Sequence, residues 1–111
     1  MTRRWTVRLA DTAEADYDEI LRWTAGRFGT TQAAAHGALL AEALARLEDS
    51  PTIPGVRQCD EIGSGLHTLH VGRRGRHIVL SRSSGELDRT IDVLRILHDA
   101  MDLARHLPGE D

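Results

Sequence analysis

The pattern of apolar and polar positions predicts that the chain opens with a strand followed by a helix. Residues 5–9 alternate apolar and polar side chains, as a strand with one buried face does. Over residues 11–28 the apolar positions recur every three or four residues, so they lie on one face of a helix that ends at a glycine. Glu14 follows Asp11 at capping-box spacing, which favours a helix start at Asp11 or Thr12. The apolar face comprises Ala13, Tyr17, Ile20, Leu21, Thr24 and Phe28.

A second helix is predicted from Thr30 or Thr31, either of which can cap its N-terminus, to about Asp49. The link between the two helices, residues 29–31, is short, so we expect them to form an antiparallel hairpin. The second helix carries large apolar side chains at Leu40, Leu44 and Leu47, and a stripe of small residues at Ala33, Gly37, Ala41 and Ala45. Another helix could approach closely along the small-residue stripe.

The rest of the chain has the pattern of an antiparallel sheet followed by a short helix. Residues 66–71 and 76–82 are predicted to be paired strands joined by a turn at 72–75. Residues 89–97 form the next strand, whose apolar side chains on both faces are typical of a central strand. Residues 98–107 are predicted to be a short final helix. The expected fold is therefore α+β, with an N-terminal strand, an antiparallel helical hairpin, a three-stranded antiparallel C-terminal sheet and a short C-terminal helix.

Length and composition indicate one globular domain over residues 1–111. The hydrophobic fraction of 41% is enough for a core without disulfides, and the single cysteine, Cys59, cannot form an internal one. The cysteine is consistent with a reducing compartment. We expect a cytoplasmic protein, because no apolar run approaches the roughly 18 residues of a membrane span and the N-terminal residues are too polar for a secretory signal.

The charges argue against a protein that acts on nucleic acid directly. The formal net charge is -3, whereas proteins that bind the phosphate backbone usually carry a cationic excess. All 14 basic residues are arginine, which excludes a lysine base or Schiff-base mechanism. No direct sequence-specific binding to nucleic acid is expected.

Three segments carry a family resemblance. Residues 13–20, Ala-Glu-Ala-Asp-Tyr-Asp-Glu-Ile, combine alanine, aspartate and an acidic-isoleucine pair on the first helix. The link between the helices has Phe-Gly at 28–29 and Gln-Ala at 32–33. The most specific segment is Val-Leu-Arg-Ile-Leu-His at 93–98, followed by Met-Asp at 101–102. Together with the order of elements, these segments resemble the ParE/RelE superfamily of toxin–antitoxin toxins, and the last is similar to ParE proteins rather than to RelE proteins.

The resemblance implies two macromolecular partners and no cofactor. A cognate antitoxin, ParD-like or similar, would lay an extended and partly helical segment over the toxin, giving a hetero-oligomer. Many ParE proteins poison DNA gyrase by binding it, and the C-terminal segment would carry much of that target contact. The residues implied in target binding are Arg95, His98, Met101, Asp102 and Arg105. A relative that only pairs with its antitoxin is a further possibility.

The resemblance also leaves a nuclease open, because RelE relatives cut mRNA on the ribosome. Such cleavage needs a base, an acid and cations, which RelE proteins typically supply from lysine, arginine and a C-terminal tyrosine or histidine. Lysine is absent here and the single tyrosine is Tyr17, so Arg82, Arg95 and His98 would be the minimal catalytic set. Alternatively Arg95, in an otherwise apolar strand, pairs with a carboxylate. The nearest candidates in sequence are Asp92, Asp99 and Asp102.

Tryptophan and arginine are favoured anchors in protein interfaces, so Trp5, Trp23 and Arg27 are the candidates for antitoxin binding. Alternatively, the tryptophans cover the edge of the core. The acidic residues Asp16, Asp18 and Glu19 are expected on the outer face of the first helix, either solvated or facing a basic antitoxin segment.

The six histidines do not predict a metal site. His98, Asp102 and His106 recur every four residues and would lie along one face of the final helix, but that helix is short and lies at the chain end. His77 is expected to be a satisfied surface or half-buried histidine. Neither a metal nor a cofactor is predicted.

Overall fold

The α+β class and the order of the first elements are confirmed. The computed structural model describes residues 4–60, 63–71, 77–85 and 87–98. Within them lie β1 (Thr6–Leu9), α1 (Asp11–Phe28), α2 (Thr30–Leu47), β2 (Val56–Gln58), β3 (Leu66–His70), β4 (His77–Ser83) and β5 (Thr90–His98). The predicted final helix lies outside the described residues except at its first position, where the prediction was wrong because His98 ends β5.

The sheet has five strands, because the predicted β1 and one strand that was not predicted, β2, join the three strands predicted for the C-terminal half. Their order is β1-β5-β4-β3-β2, with β1 parallel to β5 and every other pair antiparallel. β1 therefore joins the C-terminal strands, with Thr6 opposite Thr90. β2 was missed because it has three residues, of which Arg57 and Gln58 are exposed, so no apolar alternation marks it.

The hairpin of α1 and α2 packs on one face of this sheet, and the main core lies between them. α1 contacts β5, the strand next to β1 in the sheet. Each large apolar side chain fully buried there stabilises the fold by about 1.5–3 kcal/mol. The core comprises Trp5, Ala13, Leu40, Ala43, Leu47, Leu69, Val71, Val79, Ile91, Val93 and Ile96.

The two helices approach each other closely at Gly37. A β-carbon added at Gly37 would lie 3.3 Å from Leu21 Cδ2, and the Tyr17 hydroxyl donates to the Gly37 carbonyl at 3.4 Å. The small-residue stripe is thus confirmed at Gly37. Ala41 and Ala45, further along the same stripe, are exposed.

The expected side-chain caps do not form at either helix. The N-cap of α1 is Ala10, and that of α2 is Gly29, and neither helix has a side-chain cap hydrogen bond. The Ala10 amide donates instead to the Val93 carbonyl at 2.9 Å. This hydrogen bond extends the β1–β5 ladder to the N-cap residue, directly before α1. The chain therefore enters α1 directly from the sheet, and Asp11 is already helical.

The tip of the hairpin extends past the core. Every residue from 26 to 32 is exposed, and Thr24 is the last buried residue of α1. Phe28, placed on the buried face by its spacing, is 60% exposed, so that prediction was wrong. Phe28 does lie on the helical face predicted from the spacing, but none of the core residues packs against that face at the tip of the hairpin.

Gly29 allows the chain to reverse between the helices. Its φ of 91° and ψ of 169° lie in a region that residues with a β-carbon rarely adopt. Gly29→Ala should lower the free energy of unfolding by about 2 kcal/mol, as measured by urea denaturation. Gly26→Ala is the control, since nothing lies within 4 Å of the added β-carbon. It should stabilise the protein by about 0.5–1 kcal/mol. Equal effects of the two substitutions would contradict this role of Gly29.

Candidate binding surfaces

Arg95 of β5 is held by a carboxylate of α1. Its Nε donates to Asp16 Oδ2 at 2.7 Å and its Nη2 donates to Asp16 Oδ1 at 2.9 Å. Asp16 Oδ2 also accepts the Ile96 amide at 3.0 Å. The two side chains are largely buried, at 22% and 13% exposed. Asp16 therefore joins the middle of α1 to the last residues of β5 through side chain and backbone together.

This contact corrects two predictions and confirms a third. Arg95 does pair with a carboxylate, as its place in an apolar strand required, and this carboxylate belongs to Asp16, which was not among the candidates. Of those candidates, Asp92 pairs with Arg8 at 3.0 Å, and Asp99 and Asp102 lie outside the described residues. Asp16 is not on the outer face of α1, because its helical spacing from Ala13 turns it towards β5. Hydrogen bonding to Asp16 raises the pKa of Arg95, which stays cationic.

The three residues of the possible nuclease set do not come together along the sheet. Arg82 is exposed and lies opposite Asp92, whereas His98 lies opposite His77. Six residues of β5 separate these two positions, which corresponds to about 20 Å. Arg95 lies between them with its guanidinium engaged by Asp16. The backbone positions of the three residues are therefore spread along the sheet.

Among the described residues, two exposed aromatic side chains lie near the hairpin tip. Trp23 is 56% exposed and packs edge-to-face against Phe28, with ring centroids 5.8 Å apart. The Arg27 guanidinium lies 5.4 Å from the centroid of the Trp23 ring. We call Trp23, Arg27 and Phe28 the hairpin patch. The exposure expected for Trp23 and Arg27 is confirmed, whereas sequence reasoning missed Phe28 because its spacing placed it in the core.

Trp5 does not belong to any exposed surface. It is 7% exposed and lies in the main core, and its backbone amide donates to the Glu48 carbonyl at 2.7 Å. The Arg89 guanidinium, 5.7 Å from the ring centroid, lies over it. The burial of Trp5 supports the alternative that it covers the core edge, and Trp23 and Arg27 are the exposed candidates for antitoxin binding.

A groove separates α2 from the β2–β3 edge of the sheet. Its volume is about 460 Å³, and Leu39, which is 43% exposed, lies at its α2 side. The lining residues are Leu39, Glu42, Ala43, Arg46, Pro54, Gly55, Leu69 and His70. The groove thus lies beside the edge strand β2.

Two histidines from distant parts of the chain are in direct contact. His36 Nε2 of α2 lies 3.0 Å from His77 Nδ1 of β4, with the rings edge-to-face. His77 is half-buried and hydrogen-bonded, as expected, but its partner was not foreseen because 41 residues separate the two. Across the described ranges no three His, Cys, Asp or Glu side chains are grouped to hold a metal. Cys59 is buried, with its Sγ 3.5 Å from Thr68 Oγ1.

The remaining residues implied in target binding, Met101, Asp102 and Arg105, lie outside the described residues. Neither helix of the described part of the chain is long and apolar enough to cross a membrane.

Comparison with known proteins shows the family that the sequence matches. Residues 7–103 match the family described as ParE toxin of type II toxin–antitoxin system, parDE. The toxin ParE1 of Mycobacterium tuberculosis is 38% identical over 99 residues, which cover 89% of this chain and 94% of the relative. The toxin ParE1 of Caulobacter vibrioides is 32% identical over 104 residues, which cover 90% of this chain and 95% of the relative.

Solved structures show the same fold. A chain of the chromosomal ParDE system from P. aeruginosa matches with a TM-score of 0.71 at 22% identity, covering 87% of this chain and 98% of that one. A chain of the toxin–antitoxin complex RelBE2 from Mycobacterium tuberculosis matches with a TM-score of 0.59, also at 22% identity, covering 86% and 98%. At these identities the likeness concerns the fold.

Proposed function

The chain belongs to the ParE toxin family of type II toxin–antitoxin systems, and from this premise we propose that it inhibits DNA gyrase by binding and that a cognate antitoxin neutralises it. The proposal rests on the family match over residues 7–103, which includes the ParE-like C-terminal segment. The spread of Arg82, Arg95 and His98 along the sheet favours a binding toxin over an mRNA-cutting one.

The antitoxin contact is assigned to the hairpin patch. Trp23 and Phe28 expose large apolar rings side by side, and Arg27 adds a cation next to them. Such a combination of aromatic and arginine side chains is enriched where interfaces derive most of their binding energy. The solved relatives come from the ParDE system and from the toxin–antitoxin complex RelBE2, which supports a protein partner of the same kind here. The partner would cover Trp23 and Phe28 with apolar side chains and meet Arg27 with an acidic one.

The gyrase contact is assigned to the C-terminal segment that begins at the end of β5. His98, Met101, Asp102 and Arg105 would contact the target. Arg95 acts as a positioning residue, because Asp16 binds its guanidinium and the Ile96 amide and so holds the end of β5, from which the segment departs. The two contacts thus use separate parts of the chain, so each can be removed without the other.

Regulated expression in a bacterial host tests the toxin and the antitoxin together. The proposal expects growth arrest on induction, relieved when the antitoxin is produced from a second plasmid. Transcripts should remain intact during the arrest, because the toxin does not cut mRNA. Growth unaffected by a folded, soluble chain would overturn the toxic function, and rapid cleavage of transcripts would replace gyrase with the ribosome.

Arg105→Ala tests the target segment. It should raise the toxin concentration needed for half-maximal gyrase inhibition about tenfold, the usual loss for an interface arginine. Antitoxin affinity should not change. Arg57→Ala, on the exposed edge strand β2, is the matched control and should leave inhibition as in the wild type. An unchanged inhibition curve for Arg105→Ala would remove this residue from the target contact.

A further inference from the structure

A second group of buried apolar side chains lies on the face of the sheet opposite the helices. Leu69 and Val79, which are opposite each other on β3 and β4, belong to the main core beneath the helices. Their neighbours along the two strands point the other way, because side chains alternate along a strand. The register places five side chains on this other face, which we call the second face: Leu66, Thr68, Ile78, Leu80 and Leu97.

The second face is covered within a single chain. Leu66, Leu80 and Leu97 are each at most 1% exposed, although none of them belongs to the main core. A sheet face in contact with water carries mainly polar side chains, and apolar side chains on it would keep part of their surface exposed. Because α1 and α2 lie on the opposite face, the cover comes from another part of the chain.

Among the segments that adjoin β3, β4 and β5, the C-terminal one has the sequence pattern to provide this cover. Residues 72–76 contain only glycine and arginine, and residues 60–65 contain one large apolar side chain. Leu87, in the connection from β4 to β5, is exposed. Residues 99–107, in contrast, repeat apolar side chains at the spacing of one helical face. We call these four the C-terminal stripe: Ala100, Leu103, Ala104 and Leu107.

The starting point and the length of this segment suit the second face. The segment follows His98, the last residue of β5, and Leu97 directly before it lies on the second face. A helix of nine residues is about 13.5 Å long, whereas the axes of β5, β4 and β3 together span about 10 Å. Pro108 then ends such a helix. Residues 99–107 are therefore long enough to cross the second face from β5 to β3.

We propose that residues 99–107 dock on the second face as an amphipathic helix, with the C-terminal stripe against the sheet. The opposite side of that helix then carries Met101, Asp102 and Arg105 towards solvent. These are three of the residues implied in target binding, so the docked segment presents them together on one surface. That presentation rests on the proposed gyrase contact, whereas the docking itself does not.

Methyl NMR of the full-length, antitoxin-free chain tests the docking without any target. With leucine and isoleucine methyl groups labelled, nuclear Overhauser effects should connect Leu103 and Leu107 with Ile78, Leu80 and Leu97. A sample that mixes labelled and unlabelled copies separates contacts within one chain from contacts between copies. Contacts between copies would overturn the proposal, because a second chain would then cover the face. The absence of contacts between the C-terminal stripe and the second face in the folded chain would overturn it as well.

Thermal unfolding of full-length variants gives a second measurement on the same surface. Leu103→Ala should lower the Tm by about 10 °C or more, because it removes a buried leucine. Leu87→Ala is the matched control, since it removes the same atoms from an exposed side chain, and its Tm should change by less than about 4 °C. A wild-type Tm for Leu103→Ala would contradict the docking. Arg105→Ala should keep its Tm and lose gyrase inhibition, so unchanged inhibition with this variant would remove its target contact and leave the docking in place.

Discussion

Asp16→Ala should lower the free energy of unfolding by about 3 kcal/mol, the largest stability effect that we expect from a single polar substitution among the described residues. The substitution removes two charge-assisted hydrogen bonds from the largely buried Arg95 guanidinium, and it removes the acceptor of the Ile96 amide. The lost hydrogen bonds to a charged group account for most of this change, and the unsatisfied amide adds to it. Urea denaturation should show a lower midpoint with an unchanged m-value.

A matched acidic residue and a double variant test the cause. Asp18→Ala removes an exposed acidic residue from the same helix and should change stability by less than about 0.5 kcal/mol. Adding Arg95→Met to Asp16→Ala should recover part of the lost stability, because an apolar side chain then replaces the guanidinium that lost the Asp16 carboxylate. A double variant less stable than Asp16→Ala alone would contradict the role given to the buried charge.

Trp23→Ala should weaken antitoxin binding about 100-fold, the largest effect expected on that contact. The substitution removes an exposed indole together with its edge-to-face contact to Phe28 and its cation–π contact to Arg27. Truncation of an interface tryptophan commonly costs 2 kcal/mol or more, which corresponds to about 30-fold or more in Kd. Calorimetry or surface-immobilised antitoxin would measure it.

Leu87→Ala provides the control for this substitution. Leu87 is 92% exposed in the connection between β4 and β5. Leu87→Ala therefore also removes an exposed apolar side chain, but one that lies far from the hairpin in sequence. Its antitoxin affinity and its stability should match the wild type. The stability of Trp23→Ala should also be close to that of the wild type, since the ring is mostly in solvent. Wild-type affinity in Trp23→Ala would exclude the hairpin patch as the antitoxin contact.

The elements that local patterns define were predictable. The 3.6-residue period located α1 and the hairpin, and the alternation and turns located β3, β4 and β5 to within a residue or two. β2 has too few residues to show a period, and the parallel pairing of β1 with β5 joins positions more than 80 residues apart. Neither feature has a local signal that a single sequence could show.

Some of the polar contacts were predictable and others were not. A charge in an apolar strand needs a partner of opposite charge, so the pairing of Arg95 with a carboxylate could be predicted. The choice of Asp16 depended on how α1 lies across β5, and the helical spacing of Asp16 from Ala13 was the available clue. The contact between His36 and His77 had no such clue, because it arises only when α2 is laid beside β4.

Exposure of the aromatic residues depended on where the core ends. Trp5 precedes β1 and is covered by the core and by Arg89, whereas Trp23 and Phe28 lie on the part of the hairpin that extends past it. Periodicity assigns a residue to a face but does not show whether another element lies opposite that face. The exposure of Phe28 was beyond sequence reasoning for this reason, whereas the burial of Trp5 was one of two interpretations that the sequence left open.

Gyrase inhibition is tested most directly by plasmid supercoiling with DNA gyrase in the presence of the purified, antitoxin-free chain. We expect inhibition of supercoiling with trapped, cleaved DNA, and recovery of activity when the antitoxin is added. Unchanged supercoiling with a folded chain at concentrations well above those of gyrase would contradict it and remove gyrase as the target.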